Sequence, residues 1–483
     1  MVNRFALLSA LVVLAACGDA PQSPPIAAAS QDVTTQDVAA RMGSGGSRTS
    51  LWSLNQEGVS LTMRTGGEAL NDPDNLFFQS LGTNGRSCHT CHEPQTGMSL
   101  SPERVRLRFV ETRGTDPLFR TNDGSVSPLA DVSTVGARRK AYALLLDRGL
   151  IRVGIGVPSG ATRQFELVAV SDPYGYASAA ELSLFRRPLP AANLRLLSTV
   201  MWDGRETFKD PAQPNGFATI HFDLADQANA ATTGHAQGQP ITQEQRDAIV
   251  AYEMQVFTAQ QFDFQAGMLD AAGAKGGPAP LVDQEYYFGI NDPLGADPAG
   301  FNPVAMTAFE GWDGARGGGQ GRARAAIARG EAIFNTHPIS ITGVSGLNDD
   351  LGQPTIAGTC TTCHDTPNSG NHSVPAPLRI GTAEVDPVGG LDVSGLPVYT
   401  LRNLSTGETV RVTDPGRALI TGQWKDIGRF KGPILRGLAS RAPYFHNGSA
   451  RRLRDVISFY DARFGMQLTQ QEKSDLEAFL GAL

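Results

Sequence analysis

A mainly α chain of two domains, with a small β-containing insertion in the first, is the fold class that the sequence predicts. Three observations predict it. The chain has 483 residues, enough for two or three domains of roughly 100–200 residues each. The pattern C-x-x-C-H occurs twice, as Cys88-His89-Thr90-Cys91-His92 and as Cys360-Thr361-Thr362-Cys363-His364. Helix-type periodicity with capping signals surrounds these copies, while strand-type alternation shows between residues 151 and 170.

The elements follow in chain order. Met1 to Arg4 is a charged start, and Phe5 to Ala16 is an apolar run too short to span a bilayer. Leu14-Ala15-Ala16-Cys17 resembles a bacterial lipobox, which makes residues 1–17 a lipoprotein signal peptide and Cys17 the lipid-bearing residue. Residues 18–50, rich in Ala, Ser, Gln and Thr, read as a flexible tether. The first domain spans 51–320. Within it, about 105–187 is an insertion, with strands expected at Ile151–Ile155 and Phe165–Val170 and a turn at Asp172-Pro173-Tyr174-Gly175. Thr242 and Gln245 form a capping box ahead of a helix expected to carry Ile249, Tyr252, Val256 and Phe257 on one face. Gly317-Gly318-Gly319 marks the boundary, and 321–483 is the second domain. It opens on a helix from Arg322 to Phe334. It closes on two more, one starting at Ser449 with Leu453, Val456, Ile457 and Tyr460 on a face, the other capped by Thr469 with Glu472.

Composition narrows the function classes. Charged residues make up 18% of the chain and the net charge is −7, which argues against a nucleic-acid partner. Gly (54) and Pro (30) are plentiful and aromatics are 7%, which suits a loop-rich fold whose core is completed by a large cofactor. Four of the five cysteines sit in the two motifs and the fifth is Cys17, so no thiols remain for a disulfide.

The motif spacing points to one cofactor. Two thiols three positions apart can add across the two vinyl groups of a haem, and the His that follows can ligate its iron. A zinc half-site or a redox dithiol explains the Cys pair but not a His directly after it, twice. Two covalently bound haem c groups are expected, at Cys88, Cys91 and His92 and at Cys360, Cys363 and His364.

Four separated stretches extend this reading. They are Cys88–Glu93, Met201-Trp202-Asp203-Gly204-Arg205-Glu206, Cys360–Asp365, and Pro443-Tyr444-Phe445-His446-Asn447-Gly448, the last preceded by Phe430–Gly437. In this order they resemble the bacterial di-haem cytochrome c peroxidases and the related MauG-type enzymes. The resemblance covers about residues 70–100, 190–240 and 325–483. It implies two cytochrome c-like domains, a peroxide-reacting haem in the first and an electron-transfer haem in the second. It implies that Trp202 relays electrons between them; the alternative is a core aromatic. The second haem's other ligand is Met or Tyr in such proteins. The expected offset falls on Tyr460, on the inner face of its helix, with Met466 as the alternative. Phenolate ligation by Tyr favours ferric iron and lowers the potential, whereas a thioether favours the reduced state and raises it.

The resemblance also bears on the first haem. The position of the closing His of peroxidase-type members falls on Arg108, and no His occurs between His92 and His221, so this haem is expected to be open. The family's distal Gln and Glu map onto Gln227 and Gln237. Gln cannot exchange a proton usefully, so His235 is the candidate distal acid–base residue, with Glu206 and Glu253 behind it. A helix-terminal, solvent-facing His is the bland alternative. His446 is expected beside the second haem, and His372 could line the same pocket. His89 is expected to be exposed. Lys431 and Arg436 are candidates for haem propionates. The family also implies one calcium ion between the domains, held largely by backbone carbonyls.

The expected function is therefore reduction of hydrogen peroxide. Electrons would come from a small periplasmic donor, a cytochrome c or a cupredoxin, or from a protein substrate. The expected location is the periplasmic side of a bacterial membrane, lipid-anchored. Three alternatives stay open: a MauG-type oxidase of aromatic residues on a partner protein, a di-haem oxygenase of an organic substrate, and a plain electron-transfer cytochrome.

Overall fold

The computed structural model describes residues 47–209 and 220–483. The expected signal segment, the lipid site at Cys17 and most of the tether lie outside the described residues.

The described chain opens on an antiparallel pair, β1 (Ser50–Leu54) and β2 (Gly58–Arg64). After the first C-x-x-C-H motif come α1 (Pro102–Thr112), α2 (Val135–Ala141) and α3 (Ala143–Arg148). Three strands follow, β3 (Ile151–Ile155), β4 (Phe165–Ser171) and β5 (Leu182–Arg186). The two expected strands are thus present, and Asp172 closes the expected turn by accepting from the backbone N–H groups of Tyr174, Tyr176 and Ala177. The stretch read as an insertion is α as well as β.

Next come α4 (Ile220–Gly234) and α5 (Gln243–Glu253), the latter with the expected Thr242/Gln245 capping box. The helix stops earlier than its apolar period suggests. Val256 and Phe257 belong to strand β6 (Val256–Asp263), not to α5. The reason is tertiary. β6 pairs antiparallel with β2, Met63 opposite Phe257 and Leu61 opposite Ala259, so the β-branched and aromatic residues of this segment complete a sheet. With β7 (Gly267–Met268) the sheet order is β1-β2-β6-β7.

The remainder holds α6 (Ala279–Val282), α7 (Gly318–Thr336), the pair β8 (Ile339–Thr342) and β9 (Thr355–Gly358), strands β10 (Val398–Asn403) and β11 (Thr409–Val412), α8 (Ala418–Thr421), α9 (Leu453–Phe464) and α10 (Gln470–Ala482). Helix α9 begins at Leu453 rather than Ser449. Ala450 is drawn into an isolated antiparallel bridge, with the Tyr444 N–H donating to its carbonyl at 2.7 Å. The helix is capped at Arg452, whose N–H donates to Asp455. The Thr469/Glu472 capping box of α10 forms as expected.

Helix outweighs strand, 30% against 16%, so the mainly α reading holds in its coarse form. The strands are nevertheless spread along the chain. β4, from the stretch after the first motif, joins β10 and β11 from beyond the second motif in one sheet, in the order β11-β10-β4. The largest apolar cluster lies where α7, α9 and α10 meet, around Phe309, Trp312, Phe334 and Phe479. Gly330 lets α7 approach α10 closely: a Cβ there would collide with the Asp475 carbonyl.

Candidate functional site: two cavities that share a tryptophan

The two C-x-x-C-H segments fold the same way. Each begins with a Ser/Thr capping box, Ser87 with Thr90 and Thr359 with Thr362, and each turns through one short 3₁₀ segment. Cys91 and Cys363 have nearly the same backbone angles, φ −117° and −114° with ψ −9° and −10°. In both, the His N–H donates to the carbonyl of the first Cys at 3.1 Å. The two rings are oriented alike. His92 Nδ1 donates to the Met98 carbonyl at 3.1 Å and His364 Nδ1 to the Gly370 carbonyl at 2.6 Å. Met98 and Gly370 both have positive φ, 57° and 75°, which turns the chain back over the ring. A carbonyl can only accept, so Nδ1 carries the proton and Nε2 keeps its lone pair, the form an iron ligand needs. Burial pushes His92 down to about 4 and lowers His364 as well, so both rings are neutral at pH 7.

Burial also raises the thiols, to about 12 for Cys88, Cys360 and Cys363 and about 11 for Cys91. Neutral thiols in apolar surroundings do not suit a thiolate metal centre, but they suit a pair awaiting thioether bonds. Each motif lines an open cavity, of about 1110 Å³ for the first and about 1440 Å³ for the second. An imidazole with a free Nε2 and a cysteine pair beside a cavity together fit a haem at each motif.

Around the first cavity, α4 presents Leu224, Gln227 and Ala231 at helical spacing, with His235 one residue past its end. The His235 side chain is partly solvent-exposed but braced on one side. Its Nδ1 is 2.6 Å from Asp123 Oδ2, and the other Asp123 oxygen accepts from Arg86. Arg86 in turn donates to the Pro117 and Leu118 carbonyls. Burial works to raise Asp123, but the His235 hydrogen bond and the Arg86 guanidinium hold it below the usual carboxylate range. Asp123 and Arg86 were not visible as partners in the sequence, because nothing in local spacing connects residues so far apart.

Glu253 also lines this cavity. One of its oxygens is buried without a partner, and burial pushes the carboxyl up to about 8. Glu206 does not line the cavity; it pairs with Lys209 at 3.3 Å. Gln237 is exposed and lies outside it too. Arg108 is held away by Glu93 at 2.7 Å, Asp116 and the Thr90 carbonyl at 2.7 Å. Among the described residues, His92 and His235 are the histidines that line the first cavity.

The second cavity takes in the inner face of α9. Leu453, Val456, Ile457 and Tyr460 line it, and so does Met466 beyond the α9 C-cap at Gly465. Burial raises the Tyr460 hydroxyl, for which no described residue provides a hydrogen bond. His446 lines the cavity, stacked on Phe430 at 3.9 Å and 17°. Three expectations need correction. His372 does not line this cavity but lies buried beside Asp365. Arg436 lines neither cavity; it is buried and donates to the Gly277 carbonyl at 2.9 Å. His89 is half-buried rather than exposed, packed on Phe78 at 5.0 Å with its Nδ1 out of reach of water.

Trp202 and Lys431 line both cavities. Trp202 Nε1 donates to the Arg187 carbonyl at 2.8 Å, and its own carbonyl accepts from the Lys431 N–H at 2.9 Å. The ring meets His446 edge-on at 6.2 Å, so Trp202, His446 and Phe430 form a continuous run of rings. Lys431 Nζ donates to the Thr199 carbonyl at 2.6 Å, and burial, with Arg441 nearby, lowers it to about 7. Among the described residues, the group of His, Cys, Asp and Glu dense enough for a metal is Asp292, Asp365 and His372. An imidazole is a poor calcium donor, so this group does not fit the implied calcium ion.

No family model matches the chain. Over 81 residues it is 40% identical to cytochrome-c peroxidase IdrP1 of Pseudomonas sp. (strain SCT), covering 14% of this chain and 21% of the relative. Over 141 residues it is 30% identical to cytochrome-c peroxidase IdrP2 of Denitromonas iodatirespirans, covering 26% of this chain and 36% of the relative. The chain thus spans between about a fifth and about a third of these relatives' length. The solved structure of a MauG-like protein associated with microbial copper homeostasis aligns over 85% of this chain and 86% of its own, at 17% identity and a TM-score of 0.36, too low a score to assign a fold by.

Proposed function

We propose that this chain, a member of the di-haem cytochrome c peroxidase and MauG family, reduces hydrogen peroxide in the cavity of His92 with electrons that enter through the cavity of His364. The observation that carries the proposal is the first cavity itself, where the axial-type His92 shares one space with Gln227 and an Asp-braced His235. When bound at Cys88, Cys91 and His92, a haem supplies the redox-active iron. Reduction of one peroxide takes two electrons and two protons and yields two waters.

The protein's part is proton handling and order. With Nδ1 bound to Asp123, His235 has Nε2 left for the substrate. It can take a proton from one peroxide oxygen and return it to the other as the O–O bond breaks. Asp123 steadies the imidazolium formed between those events, as a carboxylate does for any His base. Gln227 offers a donor and an acceptor on the same helix face and so orients the peroxide. Glu253, protonated at neutral pH, is a second proton reservoir. Trp202 is the relay between cavities, with His446 and Phe430 extending the ring path on the second side. Tyr460 would be the residue that holds the second haem's iron from the α9 side, with Met466 as the alternative. Lys431, which lines both cavities, would be the cation available to a haem propionate. Electrons come from a small periplasmic donor, a cytochrome c or a cupredoxin, or from a protein substrate. We place the chain on the periplasmic side of a bacterial membrane, anchored by lipid at Cys17; no helix among the described residues is long and apolar enough to cross a membrane.

The test is a peroxide titration of the as-isolated protein. Loss of a high-spin ferric signal, with near-infrared bands from two coupled haems, supports the proposal. If neither haem is high-spin and peroxide changes nothing, the chain is an electron carrier instead. A second reading, oxidation of aromatic side chains on a partner protein, is favoured by the Tyr460 hydroxyl that lines the second cavity without a hydrogen bond from any described residue. Peroxide consumption that requires a protein substrate and ignores small reduced donors would select it.

A further inference from the structure

We propose that Asp292, Asp365 and His372 form a binding site for one divalent transition-metal ion, with zinc the simplest occupant, which clasps the loop of the second haem motif. The three residues are almost fully buried, 1%, 0% and 2% exposed. Each offers one ligand atom, and these atoms all lie within 4.8 Å of one another. Around a tetrahedral ion with bonds of about 2.0–2.2 Å, ligand atoms stand roughly 3.3–3.6 Å apart, so small inward shifts of the side chains would close the set.

The local hydrogen bonds leave the required positions free. Asp365 accepts from the Ser373 N–H at 2.7 Å and the Ser373 hydroxyl at 2.9 Å, which fixes the carboxylate. Asp292 Oδ2 accepts from the Ala296 N–H at 2.8 Å, while Oδ1 is buried without a partner. His372 Nδ1 stands 3.3 Å from Asp365 Oδ2 without hydrogen-bond geometry, and neither ring nitrogen has a hydrogen-bond partner. The hydroxyl of Tyr286, in the field of Asp365, is likewise buried and unpartnered. Buried polar atoms are nearly always satisfied. Several unpartnered polar atoms beside two carboxylates form a donor set that a cation would complete. One imidazole with carboxylate oxygens selects a borderline metal such as zinc over calcium or magnesium.

The site has a structural place. Asp365 directly follows His364. Asn291 donates to the Asp365 carbonyl at 3.0 Å and Gly289 to the Ser373 carbonyl at 3.0 Å, so the loop of Asp292 already grips the motif loop. Ser198 donates to the His372 carbonyl at 2.5 Å and Asn371 to the Leu196 carbonyl at 2.8 Å. The segment that leads to Trp202 is thereby held to the same cluster. An ion here would fix the ligand loop of the second haem against the tryptophan segment.

The test uses the two-haem protein, stripped with EDTA and reloaded with zinc alone. Metal analysis should find one zinc per chain beyond the haem iron, and zinc should raise the melting temperature of the wild type. Asp292→Asn and His372→Ala should retain the full haem content, take up no zinc and lose the zinc-dependent rise. The melting shift of the wild type keeps the test valid if a variant fails to fold. The proposal is overturned if the stripped wild type takes up no zinc, if Asp292→Asn binds zinc as well as the wild type, or if calcium or magnesium stabilises and zinc does not. The first two results would mean that an imidazolium between two carboxylates is all the cluster holds, and the third that the site takes a hard cation instead.

Discussion

His235 donates through Nδ1 to the Asp123 carboxylate at 2.6 Å, across 112 positions of sequence. One residue comes from the end of α4 and the other from the stretch between α1 and α2, so the dyad exists only in the folded chain. Replacing His235 by Ala should lower peroxide turnover by about 10²–10⁴-fold, the usual worth of a positioned acid–base group. Asp123→Asn should lower it less and move the pH–rate profile, while haem content stays unchanged. Stopped-flow kinetics with peroxide across pH 5–9 checks both, and an unchanged profile in Asp123→Asn would remove Asp123 from the mechanism.

Tyr460 and Met466 both line the second cavity, and a spectrum separates them. Tyr460→Phe should change the second haem's absorption and EPR signals, raise its potential and leave the first haem's signals alone. Met466→Leu should do none of this. The reverse pattern would give the ligand role to Met466.

Arg186 is 3% exposed and bonds Asp203 at 2.5 Å and Asp414 at 2.7 Å and 3.0 Å. It joins β5 to the segment just after Trp202 and to the segment after β11. Arg186→Met leaves two buried carboxylates short of their partner and should cost about 3–5 kcal/mol, read from denaturant midpoints. Burial works to raise Asp203, but Arg186 and Arg205 hold it at about 2. A depressed carboxyl stabilises the fold above its unfolded value, and that stability is lost as pH falls towards 2. The variant should therefore lose part of the wild type's extra stability at neutral pH and differ least near pH 2.

Glu331 gives the opposite pH dependence. It is buried on α7, accepts from the Phe309 N–H at 3.0 Å and lines neither cavity. Burial pushes it up to about 7 from 4.5. Between those values the folded state holds a proton that the unfolded state has released, so stability falls as pH rises through this window. Glu331→Gln keeps the Phe309 hydrogen bond and should flatten that fall. At pH 8 it should be the more stable protein, by on the order of 3 kcal/mol. Thermal melts from pH 4.5 to 8 decide, and parallel curves for the two proteins would contradict it.

Much of this molecule was legible in the chain. The C-x-x-C-H spacing marked two segments that fold alike, because the same short pattern with the same cap takes the same local turn. Capping boxes at Thr242 and Thr469, the strands at Ile151 and Phe165, and the inner face of α9 were local patterns with local causes. Where a neighbour decided, local pattern misled. Val256 and Phe257 kept a helical period but found a strand partner in β2. Residues 449–452 carried a cap-like Ser yet were taken by an isolated bridge at Ala450 and a cap at Arg452. His372 and Arg436, plausible at a haem edge by position, are turned into the protein interior.

What the sequence determined by itself was the repeated motif: two cysteine pairs, each with its His, in order. What only tertiary structure decided was how the two copies differ, since their local folds are nearly the same. The difference lies in what distant segments bring to each cavity, Asp123 and His235 to the first and Tyr460, Met466 and the stacked His446 to the second. Covalent spacing is a property of neighbours along the chain. The environment of a cavity is a property of neighbours in space, which a period or a motif does not encode.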